Sequence, residues 1–565
     1  MITSQPVFTH TPVEAERGVC SGGHPLAAQA GIEAIRLGGN AIDALTAAAF
    51  VSFVVEPASC GIGGYGHISV WLARDNRFVS IDSYCRAPLA AHADMFEIEE
   101  KAETYYGHPF TKGHKADFGA LAPAVPGAIA GFCLVHELFG KLPLKRVLEP
   151  AIGLAEDGIA VSFADRLGTA ERLADGPFLE ATRVVLLPEG EGNGRAAGPK
   201  RIDTSALART LKAVAAKGPG AFYKGKIARA IGDYMRSVGG ILSEDDLAAY
   251  RPRVLLEQPT QYRGLDYTSC FDQVAYEALN ILEHYDLAAF GPDSFEYRHL
   301  VAEALGVAFT DSMRHYGDPD FVRAPVAGLA SKEFAAVRQR LLRKTKAMAR
   351  PMEAGDPWPF DPDGPAPEVI TDPRSLARRE GTSQVAAADG EGNLASCCIS
   401  VGSAWGSTVY VPEVGCFLNN AMQNFDPRPG LPNSIAPGKM PIFAAPAIVA
   451  ARRGKPVFAG SGSGGYRIET GVLHTFLNMV DYRMKAQAAV DHPRVHCQGR
   501  ETVVDLRIPE AVRKRMEKAG HQVQTVSEEP GGWPFGRVCA VGFDARRKVL
   551  TGGAGPNWNT GIAGL

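Results

Sequence analysis

The spacing of apolar residues divides the chain into a helical part followed by a part rich in strands. An Ala-rich helix is predicted from Pro25, which suits the first turn of a helix, to the glycine pair at 38–39. A second helix is predicted over 41–55, and 67–73 has the character of a strand. Further helical spacing is found over 144–156, 205–216, 225–238, 294–313 and 331–348. Pro150 is expected to kink or split the first of these.

Beyond residue 382 the pattern changes to strands. Strands are predicted over 383–389, 394–401, 407–411, 445–451, 456–459, 521–527, 537–544 and 548–551. A final amphipathic helix is predicted over 468–482. Residues 350–380 join the two parts and are rich in Pro, Asp and Arg, which predicts an exposed, mobile linker.

Composition narrows the classes of function. The 565 residues are 45% hydrophobic and 21% charged, which allows a large core. A formal net charge of -3 favours neither nucleic acid nor an anionic membrane as a partner. No signal peptide is visible, and the most apolar run, 41–55, is too short to cross a bilayer. The ten cysteines are therefore expected to be free, mostly buried thiols in a cytoplasmic protein.

A predicted hairpin places two hydroxyl residues next to each other. Residues 389–393, Asp-Gly-Glu-Gly-Asn, form a strong turn signal between two strand-like runs. A turn centred on Glu391 puts Thr382 opposite Ser400, with their Cβ atoms about 5 Å apart on one face of the sheet. A slip of one residue in register would separate the two side chains.

A cut before Thr382 would give this residue both a nucleophilic hydroxyl and a free α-amino group. Such an amine has a pKa of roughly 7.7–8 and can act as the base for its own hydroxyl. Gly381 gives the backbone conformational freedom at the bond that would be cut. The alternative is that Thr382 and Ser400 are ordinary strand residues, because threonine is common in strands and hydroxyl pairs form there without any chemistry.

Two glycine-rich segments require interpretation. Residues 460–465, Gly-Ser-Gly-Ser-Gly-Gly, follow a predicted strand and precede a helix, so Gly464 and Gly465 could present N–H groups to an oxyanion. A tight strand-to-helix turn is the alternative. Residues 61–66 match G-x-G-x-x-G, but a strand follows them where a dinucleotide site needs a helix, so we reject that reading.

Other motifs that would indicate a cofactor or a conventional hydrolase are absent from the sequence. There is no H-E-x-x-H motif, no clustered His/Cys ligand set and no G-x-S-x-G elbow. The sequence at 361–364 resembles part of a calcium loop, but its downstream spacing is wrong. We therefore predict no metal and no cofactor.

Short motifs in a fixed order extend along nearly the whole chain. They lie at 24–27, 38–44, 55–57, 61–64, 125–127, 221–225, 245–247, 317–319 and 418–420. In this order they resemble the γ-glutamyltransferase family of N-terminal nucleophile (Ntn) hydrolases. The resemblance implies an α/β (α+β) protein with a four-layer αββα sandwich. It also implies self-cleavage into a helix-rich large subunit, 1–381, and a β-rich small subunit, 382–565, which together form one Ntn-hydrolase domain.

The resemblance also assigns roles to individual residues. Thr382 takes the position of the nucleophile, and Ser400 that of a supporting threonine. Gly464 and Gly465 fall on the glycines of the oxyanion hole. Self-cleavage would separate Gly381 from Thr382.

The substrate-binding positions depart from the family pattern. The arginine that holds the glutamyl α-carboxylate is Tyr84 here, with Arg86 two residues later, and the acidic residue that holds the glutamyl amine is Asn424. A substrate-contacting asparagine is Gly402, and a pair of serines is replaced by Phe443 and Ala444. Because a buried zwitterion needs charged partners, this pocket is expected to take another acyl group, lined in part by Trp405. Arg86 could still meet a carboxylate.

The first hypothesis is therefore a self-cleaving amidohydrolase or acyltransferase that acts on a small-molecule amide other than a standard γ-glutamyl compound. The second is a true γ-glutamyltransferase or glutathione hydrolase. The third is a non-catalytic binding or scaffold homologue. Either enzyme would be a processed αβ heterodimer, and whether these units assemble further stays open.

Overall fold

The structure is a computed structural model that describes residues 9–103, 108–188, 200–256, 259–362, 381–442, 445–528, 534–555 and 560–565. Its strands, in chain order, are β1 (Val13–Ala15), β2 (Gly18–Gly22), β3 (Tyr65–Leu72), β4 (Arg77–Ser83), β5 (Ile98–Glu103), β6 (Pro109–Thr111), β7 (Ile159–Ala160), β8 (Arg201–Ile202), β9 (Arg253–Leu256), β10 (Thr260–Tyr262), β11 (Leu265–Ser269), β12 (Gly381–Asp389), β13 (Leu394–Gly402), β14 (Tyr410–Val411), β15 (Cys416–Phe417), β16 (Ala447–Arg452), β17 (Lys455–Ser463), β18 (Val495–Cys497), β19 (Thr502–Asp505), β20 (Val523–Val526), β21 (Arg537–Asp544), β22 (Val549–Ala554) and β23 (Gly561–Gly564).

The α-helices complete the secondary structure. In chain order they are α1 (Pro25–Arg36), α2 (Ala41–Val55), α3 (Ala128–Phe139), α4 (Leu144–Asp157), α5 (Phe163–Leu173), α6 (Glu180–Leu186), α7 (Ser205–Lys217), α8 (Gly220–Tyr223), α9 (Lys226–Ser237), α10 (Glu244–Ala249), α11 (Gln273–Leu282), α12 (Phe295–His315), α13 (Val326–Leu329), α14 (Lys332–Gln339), α15 (Arg467–Val480), α16 (Ala486–Asp491) and α17 (Glu510–Ala519).

Two seven-stranded antiparallel sheets form the centre of the molecule. One has the strand order β23-β2-β12-β13-β3-β4-β9 and the other β1-β22-β21-β17-β16-β11-β10. Apolar side chains of both sheets, including those of Trp71, Ala386 and Val541, form the core between them. Helices α1 to α3 cover the outer face of the first sheet, and α11, α12 and α15 that of the second. The predicted layering, helices outside two packed sheets, is confirmed.

Both sheets combine strands from before and after residue 381. In the first, β2 lies between β23 and β12, and β3 pairs with β13. In the second, the block β22-β21-β17-β16 is flanked by β1 and β11. The residues on either side of Gly381 therefore contribute to the same two sheets and to the core between them.

Several local predictions are confirmed. Helix α1 begins at Pro25, and the His24 ring accepts a hydrogen bond from the Leu26 N–H as its N-cap. Helix α2 follows with Asn40 and Asp43 forming a capping box. All ten cysteines are buried, and Cys397 and Cys398 face different hydrophobic cores.

Other local predictions are wrong. Helix α14 ends at Gln339 rather than near 348, and Leu341 and Leu342 follow it with N–H bonds to carbonyls three residues earlier. Further on, Ala347 donates to Ala519 O and Met348 to Glu303, both at 2.8 Å. Helix α4 runs through Pro150 without being split. The helix near 468–482 is not the final one, because α16 and α17 follow.

The predicted exposed linker is wrong for residues 350–362. Trp358 is buried, and the Asp361 carboxylate accepts a hydrogen bond of 2.9 Å from the Gly328 N–H. Arg338 donates to Glu353 O at 2.8 Å. Polar composition suggested a linker, but these residues pack against α13 and α14. The remainder of the predicted linker, 363–380, lies outside the described residues.

Candidate active site

The hairpin of β12 and β13 has the predicted register. Thr382 pairs with Ser400, whereas Gly381 pairs with Gly402, so the register shifts by one residue at the Gly381–Thr382 peptide bond. A β-bulge of this kind disrupts the ladder locally and redirects side chains. The bond expected to be cut is therefore the irregular point of an otherwise regular hairpin.

The Ser400 hydroxyl joins the nucleophile candidate to this bond. Its Oγ donates to the Gly381 carbonyl at 2.8 Å and accepts from the Gly402 N–H at 2.8 Å. The Thr382 Oγ1 lies 3.1 Å from the same oxygen. Because a hydroxyl has a single proton, and Ser400 gives its own to Gly381, the Thr382 hydroxyl is the donor in this third contact. All three groups are buried.

Gly381 is needed for space rather than for an unusual backbone angle. It is not among the glycines with positive φ, contrary to the conformational role expected from the sequence. A β-carbon there would lie 2.5 Å from the Ala58 carbonyl oxygen and 3.1 Å from that of Ser403. A side chain at this position would therefore push the bond away from Ser400.

Gly464 and Gly465 form the turn between β17 and α15. Both have positive φ, 126° and 57°, which L-residues with side chains rarely adopt. Their carbonyls accept hydrogen bonds from Arg467 and Ile468, but their own N–H groups donate to no acceptor in the part of the chain that the structure describes. Two adjacent free donors of this kind are what an oxyanion site requires.

Arg537 connects this turn to Thr382. Its Nη2 donates to the Thr382 carbonyl at 2.8 Å, and its Nε donates to Ser463 Oγ, just before Gly464, at 2.9 Å. The residue is buried at the start of β21. The nucleophile candidate and the glycine turn, 82 residues apart on different sheets, therefore meet at one guanidinium group.

A buried carboxyl group completes this cluster. Glu56, at the end of α2, accepts a hydrogen bond of 2.7 Å from Ser383 Oγ. Burial raises the pKa of Glu56, and the charge of Arg537 opposes that rise. Sequence reasoning missed both Glu56 and Arg537, because neither lies in a local pattern with the hairpin.

Two of the substituted substrate-binding positions contact each other. Asn424 Nδ2 donates to the Tyr84 hydroxyl at 2.7 Å, and the buried Asn424 Oδ1 has no hydrogen-bond partner among the described residues. The Tyr84 ring packs edge-on against Tyr65, with ring centroids 4.5 Å apart. Tyr65 in turn pairs with Ser400 across β3 and β13, which places this neutral pair on the Thr382 side of the sheet.

Arg86 is engaged elsewhere. Its Nη2 donates to Asp82 at 2.6 Å, and Arg253 donates to the same carboxylate oxygen at 2.8 Å. Burial alone would raise the pKa of Asp82, but the adjacent Arg86 guanidinium helps to hold it below its usual range. The buried His67 ring lies 5.3 Å from that of Tyr84, and burial lowers its pKa to about 4, so this ring is neutral.

The remaining predicted pocket residues differ in their outcomes. Gly402 borders Ser400 directly through its N–H. Trp405 packs against Phe417 in the core below α2, at 4.8 Å, in a different cluster from Tyr84, so its expected place in the pocket is wrong. Phe443 and its neighbour Ala444 lie outside the described residues.

Gly402 has no room for the asparagine that the resemblance expects at this position. Its φ is 93°, and a β-carbon would lie 1.8 Å from Asn420 Oδ1, which accepts a hydrogen bond from the Ser403 N–H. Gly402→Asn is therefore expected to destabilise the fold by roughly 2–4 kcal/mol, through strain and overpacking. Chemical denaturation should show the loss. A fully stable variant would contradict the close approach, and Gly430→Asn, whose β-carbon would meet no atom within 4 Å, controls for positive φ alone.

One group of side chains has the composition of a metal site. His299, Glu303 and His521 are buried close together. The two rings are already hydrogen-bonded to each other at 2.7 Å, and Arg350 pairs with Glu303. Because these donors are satisfied and a guanidinium occupies the carboxylate, the arrangement fits a polar core better than a cation.

A family model described as gamma-glutamyltranspeptidase matches residues 27–565. The chain belongs to the gamma-glutamyltranspeptidase family. It is therefore an Ntn hydrolase, and the predicted relationship is confirmed.

The chain is similar to family members that are named for different activities. The acylase ACY 1 proenzyme of Pseudomonas sp. (strain SE83) is 37% identical over 96% of this chain and 92% of its own. The glutathione hydrolase proenzyme of Bacillus subtilis (strain 168) is 30% identical over 97% and 91%. The crystal structure of cephalosporin acylase from Bacillus halodurans superimposes with a TM-score of 0.84 at 27% identity, over 100% of this chain and 98% of that one.

No helix within the described residues is both long and apolar enough to span a membrane.

Proposed function

We propose that this family member is a precursor that cuts itself before Thr382 and becomes an N-terminal threonine amidohydrolase or acyltransferase. The observation that carries the proposal is the chain of hydroxyl groups at the bulge. The Thr382 hydroxyl donates to Ser400, and Ser400 donates to the carbonyl of Gly381. The carbonyl that must be attacked is thus polarised by the group that can receive the attacking proton.

Self-cleavage follows from this arrangement in two steps. The Thr382 Oγ1 attacks the Gly381 carbonyl carbon while its proton passes towards Ser400, which stabilises the oxygen that becomes negative. The C–N bond then breaks, the Thr382 nitrogen gains the proton, and an ester joins Gly381 to Thr382. Water hydrolyses the ester, leaving the Gly381 carboxylate and a Thr382 with a free amine and hydroxyl.

Turnover of an external amide reuses the same oxygen. The Thr382 amine accepts the hydroxyl proton, directly or through water, and the oxygen attacks the substrate carbonyl. The free N–H groups of Gly464 and Gly465 bind the oxyanion, and one such donor is typically worth about 3 kcal/mol. The leaving amine takes the proton, and water or a second amine then releases the acyl group from Thr382.

The two predicted subunits, 1–381 and 382–565, are expected to stay together after the cut as an αβ heterodimer. Strands of the two subunits pair with each other in both sheets, so separating the subunits would require both sheets to come apart. Size-exclusion chromatography in native buffer, followed by a denaturing gel, should give one peak containing two bands. Fragments that elute separately under native conditions would contradict this expectation.

The acyl group is proposed to lack a glutamyl zwitterion. The position of the family's arginine is a neutral Tyr84, that of its acidic residue is a neutral Asn424, and these two bind each other. A buried ammonium and a buried carboxylate both need charged partners, and Arg86 already pairs with Asp82. The similarity to two proteins named as acylases also supports an acyl group other than γ-glutamyl.

A series of p-nitroanilides tests this proposal. γ-Glutamyl-p-nitroanilide carries the complete zwitterion, the glutaryl compound lacks its amine, and the butyryl compound lacks amine and carboxylate. The glutaryl and butyryl compounds are expected to give kcat/KM values at least about 10-fold above that of the γ-glutamyl compound, since an unpaired buried charge costs more than 1.4 kcal/mol. A preference for γ-glutamyl would instead support a glutathione hydrolase like the relative from Bacillus subtilis.

A further inference from the structure

We propose that Arg537 is a positioning residue that holds Thr382 in place after the chain has been cut. This inference rests on the proposed function, because it concerns the nucleophile which self-cleavage creates. Arg537 bonds the carbonyl of Thr382, not its hydroxyl or amine. It therefore acts on the reaction through the position of another residue.

Before the cut, Thr382 is held on both sides of its Cα atom. Gly381 pairs with Gly402, and the Gly381 carbonyl accepts from Ser400 at 2.8 Å. Both contacts belong to the upstream residue and are lost or rearranged when the peptide bond breaks. The Thr382 carbonyl lies on the downstream side, so its 2.8 Å bond to Arg537 survives.

The neighbouring strand offers Thr382 no replacement. On that side β12 pairs with β2, and the register ends at Val385 opposite Gly22. One further bond runs from the Gly23 N–H to the Gln384 carbonyl at 3.1 Å. The Thr382 carbonyl is beyond the end of this ladder, and the Arg537 guanidinium takes the place of the missing strand donor.

The second bond of Arg537 sets the position of Thr382 against the oxyanion donors. Its Nε donates to Ser463 Oγ at 2.9 Å, and Gly464 is the next residue. One rigid, planar group therefore fixes the spacing between the nucleophile and the glycine turn. Glu56 bonds Ser383 at 2.7 Å, so the first two residues of the new chain are each anchored to a buried charged side chain.

The surroundings of Arg537 compensate its charge. Burial lowers the pKa of its guanidinium, and the neighbouring Glu56 carboxylate is the largest opposing influence. The positive charge of Arg537 should in turn lower the pKa of the nearby Thr382 amine, so that this amine is a neutral base at a lower pH. Replacing Arg537 by a neutral residue should therefore raise the pH below which activity falls, which is the acid limb of the pH profile.

The test compares Arg537→Gln with wild type and with Arg338→Gln. Arg338 is a matched control because it is also a buried arginine that donates to a backbone carbonyl, that of Glu353. Its other hydrogen bonds within the described residues go to Asp311 on α12, away from β12, β17 and β21. The probe is p-nitrophenyl acetate, a small activated ester whose acylation of Thr382 needs little of the acyl pocket. Acylation is measured on cut, folded protein over a range of pH values.

The Arg537→Gln variant is expected to cut itself. Its maximal acylation rate should fall by about 10- to 100-fold with a KM within about 2-fold of wild type, because a small misplacement of a nucleophile has costs of this size. Its acid limb should shift to higher pH. Arg338→Gln should lose stability but keep both the maximal rate and the pH at which activity falls on the acid side. Arg537→Lys, which can reach one of the two partners, should fall between wild type and Arg537→Gln; it carries the test if the glutamine variant does not fold.

The proposal is overturned if cut Arg537→Gln, or cut Arg537→Lys in its place, matches wild type in maximal rate and pH limb. It is equally overturned if Arg338→Gln shows the same rate loss and shift, since the effect would then be one of general stability. Failure of the proposed function itself looks different: wild-type protein would have no N-terminal Thr382 and would show no acylation at that residue.

Discussion

Thr382→Ala is expected to remain a single chain of full length and to lose acyl transfer completely. The substitution removes the oxygen that attacks Gly381 and, after the cut, the substrate. Removing a nucleophile typically lowers turnover by about 10⁴-fold or more. A denaturing gel and a p-nitroanilide assay of the same preparation measure both losses.

Thr382→Ser is the matched control, because it keeps the hydroxyl and removes one methyl group. It should still cut itself and retain measurable turnover. Thr382→Ala protein that is cut at the same bond, or that keeps wild-type turnover, would show that another residue supplies the nucleophile. The fold itself should be unaffected, since both variants keep the backbone of β12.

Ser400→Ala is the second large expected effect. The serine accepts the proton of Thr382 and donates to the Gly381 carbonyl, so its loss should slow self-cleavage by about 10²–10³-fold, a size typical for one donor to a developing oxyanion. The half-time of precursor conversion, followed on a gel after expression or refolding, gives the number. Ser400→Thr keeps the hydroxyl and should convert at a rate close to wild type.

Ser396→Ala provides the control within the same strand. Ser396 is buried on the same face of β13, opposite Ala386, and its hydroxyl has no hydrogen-bond partner in the part of the chain that the structure describes. Its removal should leave conversion unchanged. Equal slowing in Ser396→Ala and Ser400→Ala would mean that the strand, rather than the hydroxyl at 400, determines the rate.

The central hairpin was predictable because its information is local. A turn signal at 389–393 and the alternation of a strand fix which residues face each other, and Thr382 does lie opposite Ser400. Helices α1 and α2 were predictable for the same reason, since Pro25 and Asn40 mark their first turns. Patterns within about 20 residues were sufficient in these cases.

What could not be predicted depends on contacts between distant residues. Arg537 and Thr382 are 155 positions apart, and Tyr84 and Asn424 are 340 apart. The resemblance marked 84 and 424 as changed, but their direct hydrogen bond emerges only when the sheets are assembled. Residues 347–348, predicted as the end of a helix, show the same limit, because their N–H groups bond Ala519 and Glu303.

The new chain start at residue 382 is tested most directly by the intact mass and N-terminal sequence of freshly purified, folded wild-type protein. The account predicts two species, with the masses of residues 1–381 and 382–565, and a second N-terminal sequence that begins Thr-Ser-Gln. A single species with the mass of the uncut chain after prolonged incubation, or a new terminus at another residue, would contradict it.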